Sequence, residues 1–500
     1  MRRARKRRAI PVLAAWLVTT AGILAVGAAG SPALGAAMAA PAVSPGPTIK
    51  LIPAQNSITV PRFQNQVIVD PGIWVAALGS ALRINVQRTS YTRPVTAAQI
   101  VRTAGGATRE RRLPNWTVAG WNGLRDFARL TVRNQAGQVV VASKLTFCPD
   151  SYDQERAGPG SAATSSFPQQ CYGGDPFVRG AVWGIARGWA VDPAENEFAV
   201  ANLPLGTYRA TETIFPAYTR FFHISPRDAR ATVTMRVVTG QGCCAAARRL
   251  GPPPSAPLPS LPRVATLSRA PAGALPDLVA LPSWGITTSS TNKGRDDYLN
   301  FAATVWVGGG SRLDVEGFRV AGSPTMRAYQ YFWKNGHIIG RVRAGTMGFD
   351  SAPGHNHWHF QQFARYQLLN ATKKVAVRSQ KVGFCIAPTD AVNLLQRHAT
   401  WVPTFVGLGG QCGSPTALWV QELMPMGWGD TYDQSKAGQA FNITKLPNGT
   451  YYIEIIANPE HVLHEVTRSN DVSLRKVIIS GTAGRRHVRV PAWHGIDPES

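Results

Sequence analysis

Short apolar runs rich in Val, Ile, Thr and aromatic residues, punctuated by Gly, Pro and Asn, recur along most of the chain, as in Leu446-Pro-Asn-Gly-Thr-Tyr-Tyr-Ile-Glu-Ile-Ile456. Such runs bounded by turn residues predict strands, and their succession predicts a mainly β protein of sandwich type with few helices. Two stretches break the pattern. Between about Cys243 and Pro282 the chain becomes rich in Pro and Ala, which favours an extended linker over a packed core. At the start, six basic residues precede an apolar run from Ile10 to about Ala29, followed by Ala37-Met38-Ala39. This reads as an export signal with a small-residue cleavage site, although the run is also long enough to be retained as a membrane anchor. The expected layout is a signal over 1–39, a β-sandwich-like domain over 45–242, a linker over 243–274, a second domain over 275–480 and a basic tail over 481–500.

The two halves repeat one another. Phe127-Ala-Arg129 precedes Phe147-Cys148 as Phe363-Ala-Arg365 precedes Phe384-Cys385, and Leu203-Pro-Leu-Gly-Thr-Tyr208 answers Leu446-Pro-Asn-Gly-Thr-Tyr451. Shared order and spacing of this kind indicate two tandem, duplicated domains.

Composition sharpens the picture in two ways. The formal charge is +25, and loss of the signal would lower it to about +19. Anionic envelope or extracellular polymers are therefore favoured as partners. Nucleic acid is not expected, because the charges are scattered and the chain is exported. Six cysteines in an exported chain predict disulfides. Cys148 with Cys171 and Cys385 with Cys412 make two similarly spaced pairs, leaving the adjacent Cys243 and Cys244 beside the linker, free to pair together or with another chain.

The densest chemistry is Gly354-His-Asn-His-Trp-His-Phe360, which holds three of the ten histidines. In a strand His355, His357 and His359 would face one way. The outer two Cα atoms would then stand roughly 13 Å apart, so all three can reach one ion only if the strand bends. Imidazoles suit copper, zinc, nickel or iron, and the pattern alone does not choose among them. Counting back from Phe127 puts Ala119, Trp121 and Gly123 at the matching places of the first half. Lys144 stands four residues before Cys148, as Lys381 does before Cys385. Trp189 precedes Phe198 by nine residues, as Tyr432 precedes Phe441. A first half without the histidines points to a structural, binding or chaperoning role for it.

Ordered motifs over about 275–480 resemble the lysyl oxidase catalytic domain. After the histidines come Phe363 and Tyr366-Gln-Leu-Leu369, then Lys381-Val-Gly-Phe-Cys385, Asp430-Thr-Tyr432, Asn458-Pro459 and an acidic end from Glu465 to Asp471. The resemblance implies copper on His355, His357 and His359, with Lys381 and Tyr432 as precursors of lysine tyrosylquinone. It further implies oxidative deamination of a primary amine, either a peptidyl lysine ε-amine or a free amine, to an aldehyde with release of hydrogen peroxide and ammonia. Asp430 is a candidate for the base. The resemblance also implies a calcium site on Asp277, Leu278, Glu465, Thr467, Asn470 and Asp471, whose oxygen donors suit that ion, with Thr467 where an aspartate is expected. The animal family carries a further histidine upstream and more cysteines than this chain. The alternative expectation is a noncatalytic envelope-associated metal-binding or adhesion protein that keeps the fold.

Overall fold

The computed structural model describes residues 47–499 except 64, 104–105, 172–173, 194–198, 240–263, 320–322, 352–355, 382 and 404–411. The export segment, Cys243, Cys244 and His355 therefore lie outside the described residues. The rest is mainly β, with one α-helix, Pro216–Phe222, among the described residues.

Sheet order is the same in both halves. In the first, Val139–Phe147, Leu124–Arg133, Gly206–Ile214 and Arg230–Thr239 lie side by side; in the second, Val375–Arg378, Ala364–Asn370, Gly449–Ala457 and Val472–Thr482 do. A second sheet runs Ile49–Pro53, Ile73–Ala77, Trp189–Val191, Gln154–Arg156 in one half, and Pro276–Ala280, Asp296–Gly310, Trp428–Tyr432, Asp390–Ala391 in the other. The Leu-Pro-x-Gly-Thr-Tyr repeat has a physical cause. Tyr208 donates its hydroxyl to the Pro204 carbonyl at 2.8 Å, and Tyr451 donates to Pro447 at 2.7 Å, fixing the turn that launches each strand.

The third sheet differs by one strand. Gly180–Ile185, Leu82–Gln87, Thr96–Arg102 and Thr108–Arg112 correspond in order to Trp419–Met424, Leu313–Arg319, Thr325–Lys334 and His337–Asp350, but only the second half adds His357–Phe360. In the first half residues 119–123 make a tight turn instead, with the Ala119 amide bonded to the Gly123 carbonyl at 3.0 Å. Gly123 (φ 118°) is required there, since a Cβ would meet the Phe147 carbonyl.

Register corrects two equivalences drawn from counting. Gly188 donates to the Ala77 carbonyl, and Gly427 donates to that of Val307, so Trp189 matches Trp428 rather than Tyr432. Both indoles then donate to a backbone carbonyl, of Ala162 and Thr400 respectively. Lys144 lies on an exposed strand paired with Asp126 at 2.7 Å, whereas in the second half the strand ends at Arg378 and Lys381 turns inward.

The halves belong to one compact unit. Phe177 packs with Leu281, Trp306 and Val392 across the junction, and the Asp175 carboxyl accepts from Thr304 at 3.3 Å. The expected basic tail is instead part of the fold. Arg485–Arg489 pairs with Val472–Thr482, Trp493 stacks edge-on against Phe177 and Tyr91, and buried Arg475 reaches Glu499 at 2.7 Å. The alternation of basic residues with Val488 and Val490 gives that segment an inner face.

Candidate active site

The histidine strand His357–Phe360 pairs antiparallel with the end of His337–Asp350. Alternation sends both described imidazoles to one side, where their ring centroids lie 4.8 Å apart at 60°. Both are buried, 4% and 3% exposed. The backbone leaves the extended line just before them, at Asn356, whose φ of 56° is a left-handed value that asparagine tolerates. A bend of the kind that three histidines would need is thus present at Asn356. The Asp350 carboxylate stands 3.5 Å from Nδ1 of His359.

The other edge of this strand is held by the segment that carries the lysine. Phe360 and Phe384 exchange both backbone hydrogen bonds, at 2.8 and 3.0 Å, and the Trp358 amide donates to the Cys412 carbonyl at 2.8 Å. The Cys385–Cys412 bridge joins those two grips, and Cys148–Cys171 is its counterpart in the first half. Between Lys381 and Cys385 the chain passes so close that a Cβ on Gly383 would stand 2.8 Å from His359 Cβ and 3.2 Å from its Nδ1. Gly383→Ala is therefore expected to push His359 out of place and to weaken any transition-metal uptake by the histidines roughly tenfold, read by metal titration of the purified chain; unchanged uptake would mean that the segment yields instead.

Lys381 and Tyr432 meet at this junction. Lys381 is 8% exposed, and its Nζ lies 4.0 Å from the centroid of the Tyr432 ring and 5.0 Å from that of Phe384. Burial pushes its amine down to about 8, against the attraction of Asp430 and Asp350. Tyr432 closes the strand Trp428–Tyr432, and its hydroxyl accepts from the Cys385 amide at 2.8 Å. Phe384 packs edge-on against the ring at 5.3 Å and 89°. Burial, reinforced by Asp430, raises the phenol well above its ordinary value. Asp430, two residues earlier on the same strand, shares its face. Burial holds its carboxyl far above the usual range although Lys381 pulls it down, and its Oδ2 makes no hydrogen bond among the described residues.

Residues 343–487 match the lysyl oxidase family model. That segment is similar to lysyl oxidase domains. It contains the histidines, Lys381 and Tyr432, together with the acidic end at 465–471, while Asp277 and Leu278 precede it. No curated protein matches the chain. Among the described residues no three His, Cys, Asp or Glu side chains are arranged to hold a metal ion together. The two described imidazoles nevertheless suit a transition-metal ion such as copper in donor type and burial.

The oxygen-rich residues at the two ends of the second half also converge. Asn470 donates to both oxygens of Asp277 at 3.2 Å, its carbonyl accepts from Ala280, and Val466 donates to the Pro276 carbonyl. Burial and the nearby Asp471 push Glu465 up to about 7, opposed by an Asn458 hydrogen bond; burial likewise raises Asp471 and Asp277. Leu278 is buried beside them, whereas Thr467 turns to Ser469 at 3.0 Å.

Glu422 is a site residue that motif reading missed. It is fully buried, one carboxyl oxygen accepts from the Ile386 amide at 3.0 Å, and burial raises its pKa well above the usual carboxylate value. It therefore braces the segment that follows Cys385. Its signal was available in Val420, Glu422 and Met424, which alternate inward with an acid at the middle place.

Proposed function

We propose that the second half is an exported copper-dependent amine oxidase in which Lys381 and Tyr432 mature to lysine tyrosylquinone. A primary amine, on a peptidyl lysine or free, would be oxidised to an aldehyde with consumption of dioxygen and water and release of hydrogen peroxide and ammonia. The lysyl oxidase match supports an amine oxidase as the class of enzyme. The observation that carries the finer reading is the 4.0 Å approach of Lys381 Nζ to the Tyr432 ring beside two buried imidazoles. His357 and His359, with His355, would hold the copper. When bound, copper with dioxygen supplies the oxidising power for the tyrosine ring, and the quinone supplies an electrophile for the amine.

The chain's own groups do the positioning. The Cys385 amide and the edge of Phe384 fix the Tyr432 ring, and the low amine pKa leaves part of Lys381 uncharged and nucleophilic near neutral pH. Asp430, buried and electrostatically coupled to both, would give up and take back a proton at its unpaired oxygen. Both disulfides suit an oxidising compartment, and no helix among the described residues is long and apolar enough to cross a membrane.

The deciding experiment is mass spectrometry of copper-loaded protein in air, with and without phenylhydrazine. A peptide linking Lys381 to Tyr432 that takes up the hydrazine is expected. Two unmodified peptides from copper-replete protein would sink the quinone and favour a binding protein that keeps the fold.

Calcium at the Asp277, Glu465, Asn470 and Asp471 cluster would clasp the ends of the domain. The folded-state pKa of Glu465 is raised to about 7, so without a cation its ionisation costs stability as pH climbs from about 4.5 through 7. Calcium is therefore expected to raise the melting temperature more at pH 8 than at pH 5.5. Asp471→Asn should abolish the difference, and an equal shift at both pH values would remove the clasp from consideration.

A further inference from the structure

The outward face of the first-half sheet carries an ordered array that the oxidase reading does not use. By strand register, Arg230, Thr213, Arg129 and Lys144 form one row across four strands. Thr232, Thr211 and Thr131 form the next, and Thr234, Arg209 and Arg133 the one after. The arginines and Lys144 are exposed, while Thr131, Thr211, Thr232 and Thr234 are half-buried. Basic rims thus flank a floor of short hydroxyl side chains, and the rims stand about 13 Å apart, four residues along each strand. An open cleft of about 740 Å³ follows this floor, lined by Thr131, Thr211, Arg133 and Arg209 among others.

No Asp or Glu stands among these outward positions, since Glu212 of the same strand points into the core. Lys144 is paired with Asp126 at the rim, and Arg133 donates to the Gly137 carbonyl at 2.8 Å. The matching face of the second half is consumed internally. There Arg365 pairs with Glu460, Gln367 with Glu454, and Lys373 covers Tyr452. The array is particular to the half that has no histidine strand.

We propose that this face docks a linear anionic polysaccharide, lying across the strands with its rings on the threonine floor and its carboxylate or sulfate groups on the arginine rims. Charge complementarity selects an anion, and the hydroxyl row selects a ligand with hydroxyls of its own over a bare polyphosphate. The surface would hold the enzyme on a glycan-rich matrix, independently of whether the quinone forms.

The test is calorimetric titration of a heparin-derived tetrasaccharide into the full chain at physiological salt. Arg129→Gln with Arg209→Gln should weaken binding at least about tenfold, the loss of two charge-assisted contacts. Arg485→Gln with Arg489→Gln, the same charge change on exposed positions of the second half, should leave affinity unchanged. Thr211→Val with Thr232→Val, which keeps charge and strand shape, should weaken binding several-fold, and thermal melting checks that it folds. Equal losses from the two arginine pairs, no effect of the threonine pair, or tetraphosphate binding as tightly as the sugar would each overturn the proposal.

Discussion

Lys381→Met is expected to eliminate amine-dependent peroxide release and at the same time to make the unprocessed chain more stable. The amine is 8% exposed and burial lowers it to about 8. A folded-state pKa below the unfolded one means that protonation is penalised in the native protein. The penalty is complete below about pH 8 and fades as pH rises toward 10.5. A shift of that size corresponds to about 3 kcal/mol at pH 7. Methionine keeps most of the length and loses the charge, so it recovers that cost while leaving nothing to bond to the Tyr432 ring. Urea unfolding at pH 7 and pH 10 separates the effects: the gain should shrink at the higher pH. A destabilised variant at pH 7 would mean that the ammonium is well paired where it lies, and the argument for a partly neutral amine would go with it.

Removing the Cys385–Cys412 bridge should do more damage to the site than removing its twin. The two bridges close loops of similar length, 27 and 23 residues apart in sequence, so loop entropy assigns each about 3 kcal/mol. Only the first joins segments that both bond to the free edge of the histidine strand, through Phe384 and Cys412. Cys385→Ala with Cys412→Ala is expected to lose copper uptake and peroxide release together with stability. Cys148→Ala with Cys171→Ala should lose comparable stability yet keep copper at a temperature where it remains folded. If both pairs lose copper in proportion to stability, the bridge is only a staple.

Much of this architecture is legible in the sequence. Turn-bounded runs announced the strands, the repeated Leu-Pro-x-Gly-Thr-Tyr carried its own hydrogen bond, and cysteine spacing paired the bridges. The meeting of Lys381 with Tyr432 came only through family resemblance, because the contact depends on Phe360 bonding to Phe384, a long-range pairing that no local pattern encodes. Counting from a shared anchor also failed in an instructive way. One extra residue between Phe363 and Cys385 takes Lys381 off the strand that keeps Lys144 in solvent. Trp189 lands on Trp428 because register is set by the glycine turns at 188 and 427, not by distance to the next phenylalanine. Residues 481–499 looked like a basic tail because charge masks a valine alternation that has a sheet to rest on.

The histidine strand is the last member of its sheet, and the other half closes the same sheet one strand earlier, on Thr108-Arg-Glu-Arg-Arg112, whose charged side chains discourage further pairing. A segment of this kind lies at the border of a pre-existing scaffold, but its removal would cost the ladder to His337–Asp350, the bonds to Phe384 and Cys412 on its other edge, and the burial of Trp358 and Phe360. The first half is in effect a natural template without such a strand, and its arginine-guarded border is the place where an engineered metal strand would have to be written in.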